Sequence, residues 1–307
     1  MAGRAAAEER LLERLNSLPP LREVIAAHGL AAKKGLGQHF LLDLNLTAKI
    51  ARSSGDLRGV TVIEIGPGPG GLTRALLGAG AERVIAIERD SRCIAALSPL
   101  VEASEDRLHL VEGDALSLDL PGLARQLGTR AGAPVRLIAN LPYNVATPLL
   151  IRALYDADAY QQMTLMFQRE VALRIVAAPN SEDYGRLAVL VQSVARARLD
   201  FELSPKAFTP PPGVVSAIVQ LCPLSAAIRA ELPPLKAIEQ VTQQAFGQRR
   251  KMLRSSLKGL TTLPELLLTR AEIDGTRRAE TLSLAEFHRL TQEFLRLDPP
   301  ESRTSIR

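Results

Sequence analysis

The stretch TVIEIGPGPGGLTRALLGAG, Thr61 to Gly80, decides the fold. Its opening TVIEIG is a short apolar run rich in β-branched side chains, which predicts a buried strand. GLTRALLGAG, Gly71 to Gly80, predicts a helix stopped by glycine. Between them Gly66, Gly68 and Gly71 fit G-x-G-x-x-G. Glycines let the chain turn sharply and let a ligand approach the backbone. The pattern points to a nucleoside cofactor at a strand-to-helix turn. Taken alone, it also fits a tight turn with no ligand.

Strand and helix patterns alternate outward from this point. RVIAIE (Arg83 to Glu88), LHLVEG (Leu108 to Gly113), VRLIAN (Val135 to Asn140) and MTLMFQ (Met163 to Gln168) read as strands. Helices are expected near Leu44 to Ser53, over Ser91 to Ala103 with Ser91 as N-cap, from about Val145 to Tyr155, and in REVALRIVA. Continuous apolar strands alternating with helices imply a parallel sheet covered on both faces, hence an α/β, Rossmann-like fold. FELSPKAFTPPPGVVSAIVQL (Phe201 to Leu221) predicts a hairpin at the sheet edge, because proline is poorly tolerated in a central strand. From about Leu224 only helical periodicity remains. The expected organisation is an N-terminal extension over 1–30, a cofactor-binding domain over 31–223, a small all-helical domain over 224–298 and a disordered tail over 299–307.

Two acids fall where a cofactor needs them. Glu88 closes the second strand about 20 residues beyond Gly66, the place of a ribose-binding carboxylate. Asp114, after the third strand, can accept from the exocyclic amine of an adenine. Two carboxylates discourage a pyrophosphate and favour adenosine with a cationic or neutral tail, as in S-adenosyl-L-methionine. Glu64 is a third acid nearby; it also suits an anchor for local backbone. Read alone, Glu88 also fits a solvated residue before a turn.

LIANLPYNVATPLL, Leu137 to Leu150, places Asn-Leu-Pro-Tyr at the end of the fourth strand. The Asn140 side chain offers a neutral acceptor. Pro142 lacks an N–H and holds Leu141 extended, which turns backbone carbonyls outward. Tyr143 offers a flat ring. An exocyclic amine on a nucleobase needs two acceptors for its hydrogens and a ring to stack on. A plain strand-to-helix turn with a buried tyrosine is the alternative reading, which the upstream cofactor signals disfavour.

With these segments the chain resembles the ribosomal RNA adenine N6-dimethyltransferases, in particular their bacterial small-subunit branch. GLGQHFLLD, IEIGPGPGGLT, ANLPYNVATPLL, MFQREVALRI, YGRLAVLVQ, FTPPPGVVSAIVQL and AFGQRRKMLRSSL occur in family order, from about Leu21 to Leu297. The resemblance implies a methyltransferase sheet with a helical RNA-binding domain, and S-adenosyl-L-methionine as methyl donor. It implies cofactor contacts from His39, Leu41, Gly66, Gly68, Glu88, Asp114 and Asn140. It implies a catalytic set of Asn140, Leu141, Pro142, Tyr143 and Phe208, in which Asn140 and the carbonyl beside Pro142 orient the amine while Tyr143 and Phe208 stack on the base. His39 departs from the family, which most often has Asn there. The implied substrate is two adjacent adenosines in the 3′-terminal hairpin of small-subunit rRNA, within an immature 30S particle, with a role in ribosome biogenesis.

QRRKMLRSSL puts Arg249, Arg250, Lys251 and Arg254 in one expected helical stretch, as candidate phosphate contacts, and Arg169, Arg174 and Arg186 extend the set. A solvated basic face is the bland alternative. The net charge of +5 suits an anionic partner without requiring one. Cys93 and Cys222 are the only cysteines and have no metal-ligand spacing, so neither a disulfide framework nor a metal site is expected. No stretch approaches the roughly 20 apolar residues of a membrane span. The N-terminus alternates charges and lacks the apolar core of a secretory signal. A monomeric cytoplasmic enzyme is expected. A DNA adenine methyltransferase, an antibiotic-resistance rRNA methyltransferase, a non-catalytic RNA-binding assembly factor and a NAD-dependent enzyme are the rivals.

Overall fold

The computed structural model describes residues 2–30, 38–128 and 130–297. They fall into two compact units, one within Met1–Arg169 and Arg198–Cys222, the other within Glu170–Ala197 and Pro223–Arg307.

The strands are β1 (Phe40–Leu41), β2 (Thr61–Ile65), β3 (Arg83–Glu88), β4 (Leu108–Glu112), β5 (Val135–Ala139), β6 (Gln162–Gln168), β7 (Ala195–Leu203), β8 (Phe208–Thr209) and β9 (Ser216–Pro223). Seven form one sheet in the order β4-β3-β2-β5-β6-β9-β7. β4, β3, β2, β5 and β6 run parallel, and β9 is antiparallel to β6. All five residues of β2 are buried, as are five of the six in β3. Their Val and Ile side chains fit a pleated surface covered on both faces. The chain runs from β2 to β3 to β4 on one side, then returns to β5 and β6 on the other. The order therefore reverses between β2 and β5, and the carboxyl ends of these two strands form the crevice where ligands bind in such sheets. Ile65 pairs with Ala139, so the residues that follow, Gly66 and Asn140, emerge side by side.

Among the described residues, eight α-helices serve the first unit: α1 (Ala2–Ser17), α2 (Leu21–Ala27), α3 (Leu44–Ser53), α4 (Gly71–Gly78), α5 (Ser91–Ala96), α6 (Ser98–Ala103), α7 (Leu120–Leu127) and α8 (Tyr143–Tyr155). The single helix expected over Ser91–Ala103 is two. Pro99 lies in the first turn of α6 and has no N–H to continue the ladder of α5. Asp90, not Ser91, caps α5, its carboxylate accepting from Arg92 N. The N-terminal residues are docked rather than a separate extension. Leu11 and Leu15 of α1 are buried in the same core as Val62, Leu76 and Leu100, and Arg14 reaches Glu102 O (2.6 Å) and Glu105 (3.1 Å). The hairpin expected at the sheet edge is β7 and β9 as neighbours. Its proline-rich connection carries an unforeseen strand, β8, which pairs with β1 through Phe40↔Thr209 and Leu41↔Phe208.

The second unit contains α9 (Arg169–Val176), α10 (Arg186–Gln192), α11 (Ala226–Ala230), α12 (Leu235–Gly247), α13 (Leu253–Ser256), α14 (Pro264–Arg270) and α15 (Leu284–Leu297). It takes in residues 170–197, which the sequence reading placed with the sheet. The reason is packing. α10 lies against α12 and α15, and the Tyr184 ring meets the edge of Phe246, which stacks on Phe287. The expectation for residues 299–307 lies outside the described residues.

Candidate cofactor and base site

A cavity opens at the carboxyl ends of β2 and β5. Its wall includes Gly66, Pro67 and Gly68 from the glycine turn, Glu88 from β3, and Asn140 to Tyr143 after β5. Gln38 to Leu41, Thr47, Pro69, Gly71, Leu72 and Met166 complete it. The sequence-predicted residues His39, Leu41, Gly66, Gly68, Glu88, Asn140, Leu141, Pro142 and Tyr143 thus share one space.

The glycine turn is built from residues in left-handed backbone. Gly66 has φ +70° and Gly68 has φ +53°, and a Cβ at Gly68 would stand 3.1 Å from the Phe40 ring. Any side chain there is strained and displaces Phe40. Gly71 is equally tight, since a Cβ would lie 2.9 Å from Leu21 and 3.0 Å from the Leu41 carbonyl.

Glu88 is 7% exposed. Oε1 accepts from Arg89 N (2.8 Å) and Asp90 N (2.9 Å), and Oε2 accepts from Gly68 N (3.2 Å). Burial pushes its pKa up, while these three backbone donors pull it back. A carboxylate offers about four lone-pair sites. Three are used, which leaves Oε2 one site for a hydroxyl in the cavity. Glu64 lies deeper, 1% exposed, and neither of its oxygens has a hydrogen-bond partner. Desolvation, helped by the charge of Glu88, raises its pKa to about 8, against a weaker opposing pull from Thr73.

Asp114 stands where expected, at the carboxyl end of β4 beside the end of β3, since Glu112 pairs with Glu88 and Gly113 N donates to Glu88 O (2.9 Å). It follows β4 outside the cavity wall, half-exposed, with Oδ1 capping Leu116 N (2.9 Å) and Oδ2 3.5 Å from Arg89. β4 is the outermost strand on that side, so its end stands at the rim. The Phe208 side chain is 3% exposed and packs in the core with Leu203, Met166 and Ile218; it is not itself in the cavity wall, although Met166 and its β1 partner Leu41 are. The pairing of β8 with β1 turns it inward.

Tyr143 opens α8 behind Pro142, the N-cap, whose φ of −56° suits a helix entry. Its hydroxyl lies 2.8 Å from Ser216 Oγ on β9, and partial burial raises its pKa. Its ring is 5.9 Å from that of His39 at 31°. His39 donates from Nδ1 to Pro210 O (2.8 Å). Ser216, Gln38, Phe40 and Met166 were missed in the sequence. Gln38 and Phe40 stand inside GLGQHFLLD, and only their proximity to His39 could have flagged them.

The basic residues divide between the units. In the first, Arg169 is paired with Glu202 at 2.6 Å. In the second, Arg186 pairs with Glu239 at 2.6 Å, Arg174 lies 4.0 Å from Glu170, and Arg249 holds Glu182 O and Glu280. Arg249, Arg250 and Lys251 do not share a helix with Arg254. α12 ends at Gly247, the chain turns through all three, and α13 begins at Leu253. Arg250, Lys251 and Arg254 are exposed. Among the described residues no group of three or more His, Cys, Asp and Glu could hold a metal, and no helix is long and apolar enough to cross a membrane.

Among the described residues, the cavity wall joins the Glu88 carboxylate to apolar surface from Phe40, Leu72 and Met166 and includes no Lys or Arg. Sheet and cavity define an S-adenosylmethionine-dependent methyltransferase. Residues 29–295 match the family described as Ribosomal RNA adenine dimethylase. The chain belongs to the ribosomal RNA adenine dimethylase family. It is 58% identical over 280 residues, 90% of this chain and 98% of the relative, to the Ribosomal RNA small subunit methyltransferase A of Mesorhizobium japonicum. It is 53% identical to that of Rhodospirillum rubrum over 90% of this chain and 93% of the relative. Among solved structures it is similar to a dimethyladenosine transferase from Plasmodium falciparum, with TM-score 0.69 and 25% identity over 84% of this chain and 98% of that one. The 23S rRNA methyltransferase ErmE shares the fold, with TM-score 0.58 and 24% identity over 83% and 99%.

Proposed function

We propose that this protein dimethylates N6 of two adjacent adenosines in the 3′-terminal hairpin of small-subunit rRNA, within an immature 30S particle, as a cytoplasmic monomer with a role in ribosome biogenesis. The observation that supports the reading is the emergence of Asn140 beside Gly66, with residues 140–143, the glycine turn and Glu88 all lining one cavity. The relatives named for small-subunit rRNA support the choice of RNA.

S-adenosylmethionine supplies an electrophilic methyl group and departs as a neutral thioether. Glu88 holds the ribose, and the glycine turn gives it close backbone approach. The Asn140 side-chain carbonyl and the backbone carbonyl beside Pro142 accept the two N–H bonds of the target amine. This draws its lone pair out of conjugation with the ring. The nitrogen forms the new N–C bond as the S–C bond breaks, and the resulting ammonium releases its proton to solvent. No strong base is required, and Tyr143, whose pKa is raised, is not one. Its ring stacks on the base, which must leave its own stack to enter. Orientation of this kind supplies at most about 7–11 kcal/mol of the barrier. The helical unit, with Arg250, Lys251 and Arg254 exposed, contacts phosphates.

Mass spectrometry of the 3′-terminal rRNA fragment, after incubation of unmethylated small-subunit particles with protein and labelled cofactor, tests this. Two neighbouring adenosines each gaining two methyl groups is the expected result. Label in large-subunit particles instead would overturn the choice of substrate.

A further inference from the structure

Asp90 lies two residues beyond Glu88 and takes no part in the chemistry above. It is 6% exposed, and both carboxylate oxygens are committed. Oδ1 accepts from Arg92 N (3.2 Å) and Arg92 Nε (3.0 Å), and Oδ2 from Arg92 Nη2 (2.6 Å) and Gln38 Nε2 (3.3 Å). Its backbone N–H donates to Glu88 Oε1 at 2.9 Å. Arg92 in turn donates from Nη1 to Gly29 O (3.1 Å). One residue therefore touches three parts of the cavity's surroundings: the ribose acid, the cavity-lining Gln38 that precedes His39, and, through Arg92, the end of the α2 segment.

The apolar contacts run the same way. Val24 and Leu30 pack with Phe40, Cys93 and Ala96, so the N-terminal segment and α5 share a small core beside the glycine turn. Leu21 of α2 closes on Gly71 and the Phe40 ring on Gly68. Apolar contact is non-directional and leaves the register of this segment open. Directional bonds set it: the β1–β8 ladder and the His39 bond to Pro210 O tie it to the proline-rich connection, and the Asp90 carboxylate, through its fork to Arg92 and its bond to Gln38, ties it to the turn after β3.

We infer that Asp90 is a positioning residue for the cofactor: with Arg92 and Gln38 it locks the N-terminal wall of the cavity to the turn that holds the ribose acid. This deepens the reading of the cavity as the S-adenosylmethionine site and rests on it. Asn at position 90 keeps the backbone donor to Glu88 and the size of the side chain, yet loses the charge that holds Arg92. Gln38→Ala cuts the other arm and leaves the ion pair intact.

Isothermal titration of S-adenosylmethionine and of S-adenosylhomocysteine into wild type, Asp90→Asn, Gln38→Ala and the double variant separates the possibilities. Asp90→Asn should weaken both ligands about tenfold or more, because a charge-assisted link is lost. Gln38→Ala should weaken them less, and the double variant less than the product of the two single losses, since both arms meet at the one Asp90 carboxylate. In turnover, the KM for S-adenosylmethionine should rise while kcat at saturating cofactor stays near wild type, a split that general destabilisation does not produce. Thermal melts of each variant report folding. If Asp90→Asn does not fold, Gln38→Ala and Arg92→Lys carry the same test. Wild-type affinity in the folded Asp90 variant, or fully multiplicative losses in the double variant, overturns the inference while leaving the site intact. Failure of the wild type itself to bind overturns the site.

Discussion

The Tyr143 hydroxyl and Ser216 Oγ lie 2.8 Å apart, joining the first turn of α8 to β9 across the cavity's edge. β9 is antiparallel to β6, so Ser216 pairs with Gln168 and is carried to the same end of the sheet as Asn140. The tyrosine ring is thereby held from both ends, by the helix backbone and by its hydroxyl. Stacking of a base on such a ring contributes about 1–3 kcal/mol. Tyr143→Ala is expected to lower kcat/KM on rRNA by roughly 10- to 100-fold. Tyr143→Phe, which keeps the ring and loses one hydrogen bond of about 1 kcal/mol, should cost only a few fold. Initial rates of methyl transfer to small-subunit particles measure both. Equal losses in the two variants would show that the hydroxyl, not the ring, matters.

Glu88 lines the cavity with one of its about four lone-pair sites uncommitted, and the others hold Gly68, Arg89 and Asp90. Glu88→Gln should weaken S-adenosylmethionine by about tenfold, through loss of a charged acceptor worth about 1.5–3 kcal/mol. Glu88→Ala should weaken it further, because the turn loses its anchor as well. Calorimetric titration reads the order. Full affinity in Glu88→Gln would remove this residue from the ribose site.

Glu64 couples stability to pH. Unfolded, its carboxyl titrates near 4.5; folded, burial raises this to about 8, with Glu88 and Thr73 the polar groups that act on it. Between these values the folded state holds a proton that the unfolded state has lost. Stability from this group is therefore full below pH 4.5 and declines as pH rises through 8. Glu64→Gln carries no titrating proton. Its melting temperature relative to wild type should rise between pH 5.5 and pH 8 by at least about 2 °C. Parallel melting curves across that range would contradict the assignment.

Arg250 and Lys251 sit exposed in the turn after α12, whereas Arg249 is already tied to Glu280 and to the Glu182 carbonyl. Arg250→Ala with Lys251→Ala should weaken binding to small-subunit particles and reduce the slope of log K against log salt by about 1–2. Arg249→Ala should act more through local order than through salt dependence. A slope unchanged in the double variant, over a titration by filter binding, would take these side chains off the RNA.

By itself the sequence determined the local elements and the chemistry they carry. Val62, Ile63 and Ile65 followed by Gly66 and Gly68 determine a buried strand and a turn that only glycine tolerates, because β-branched alternatives clash with φ near +60°. The acid at Glu88 and the tetrapeptide at Asn140 were legible as candidates because each stands at the carboxyl end of a readable strand, where open sheets bind ligands. What the tertiary structure alone decided were relations between distant segments. β1 pairs with β8 across more than half the chain and turns Phe208 into the core; residues 170–197 join the helical unit; Asp90 reaches back to Gln38. Such contacts leave no periodicity in the sequence. They depend on which surfaces meet after the sheet has formed, and two residues or one hydrogen bond suffice to make them.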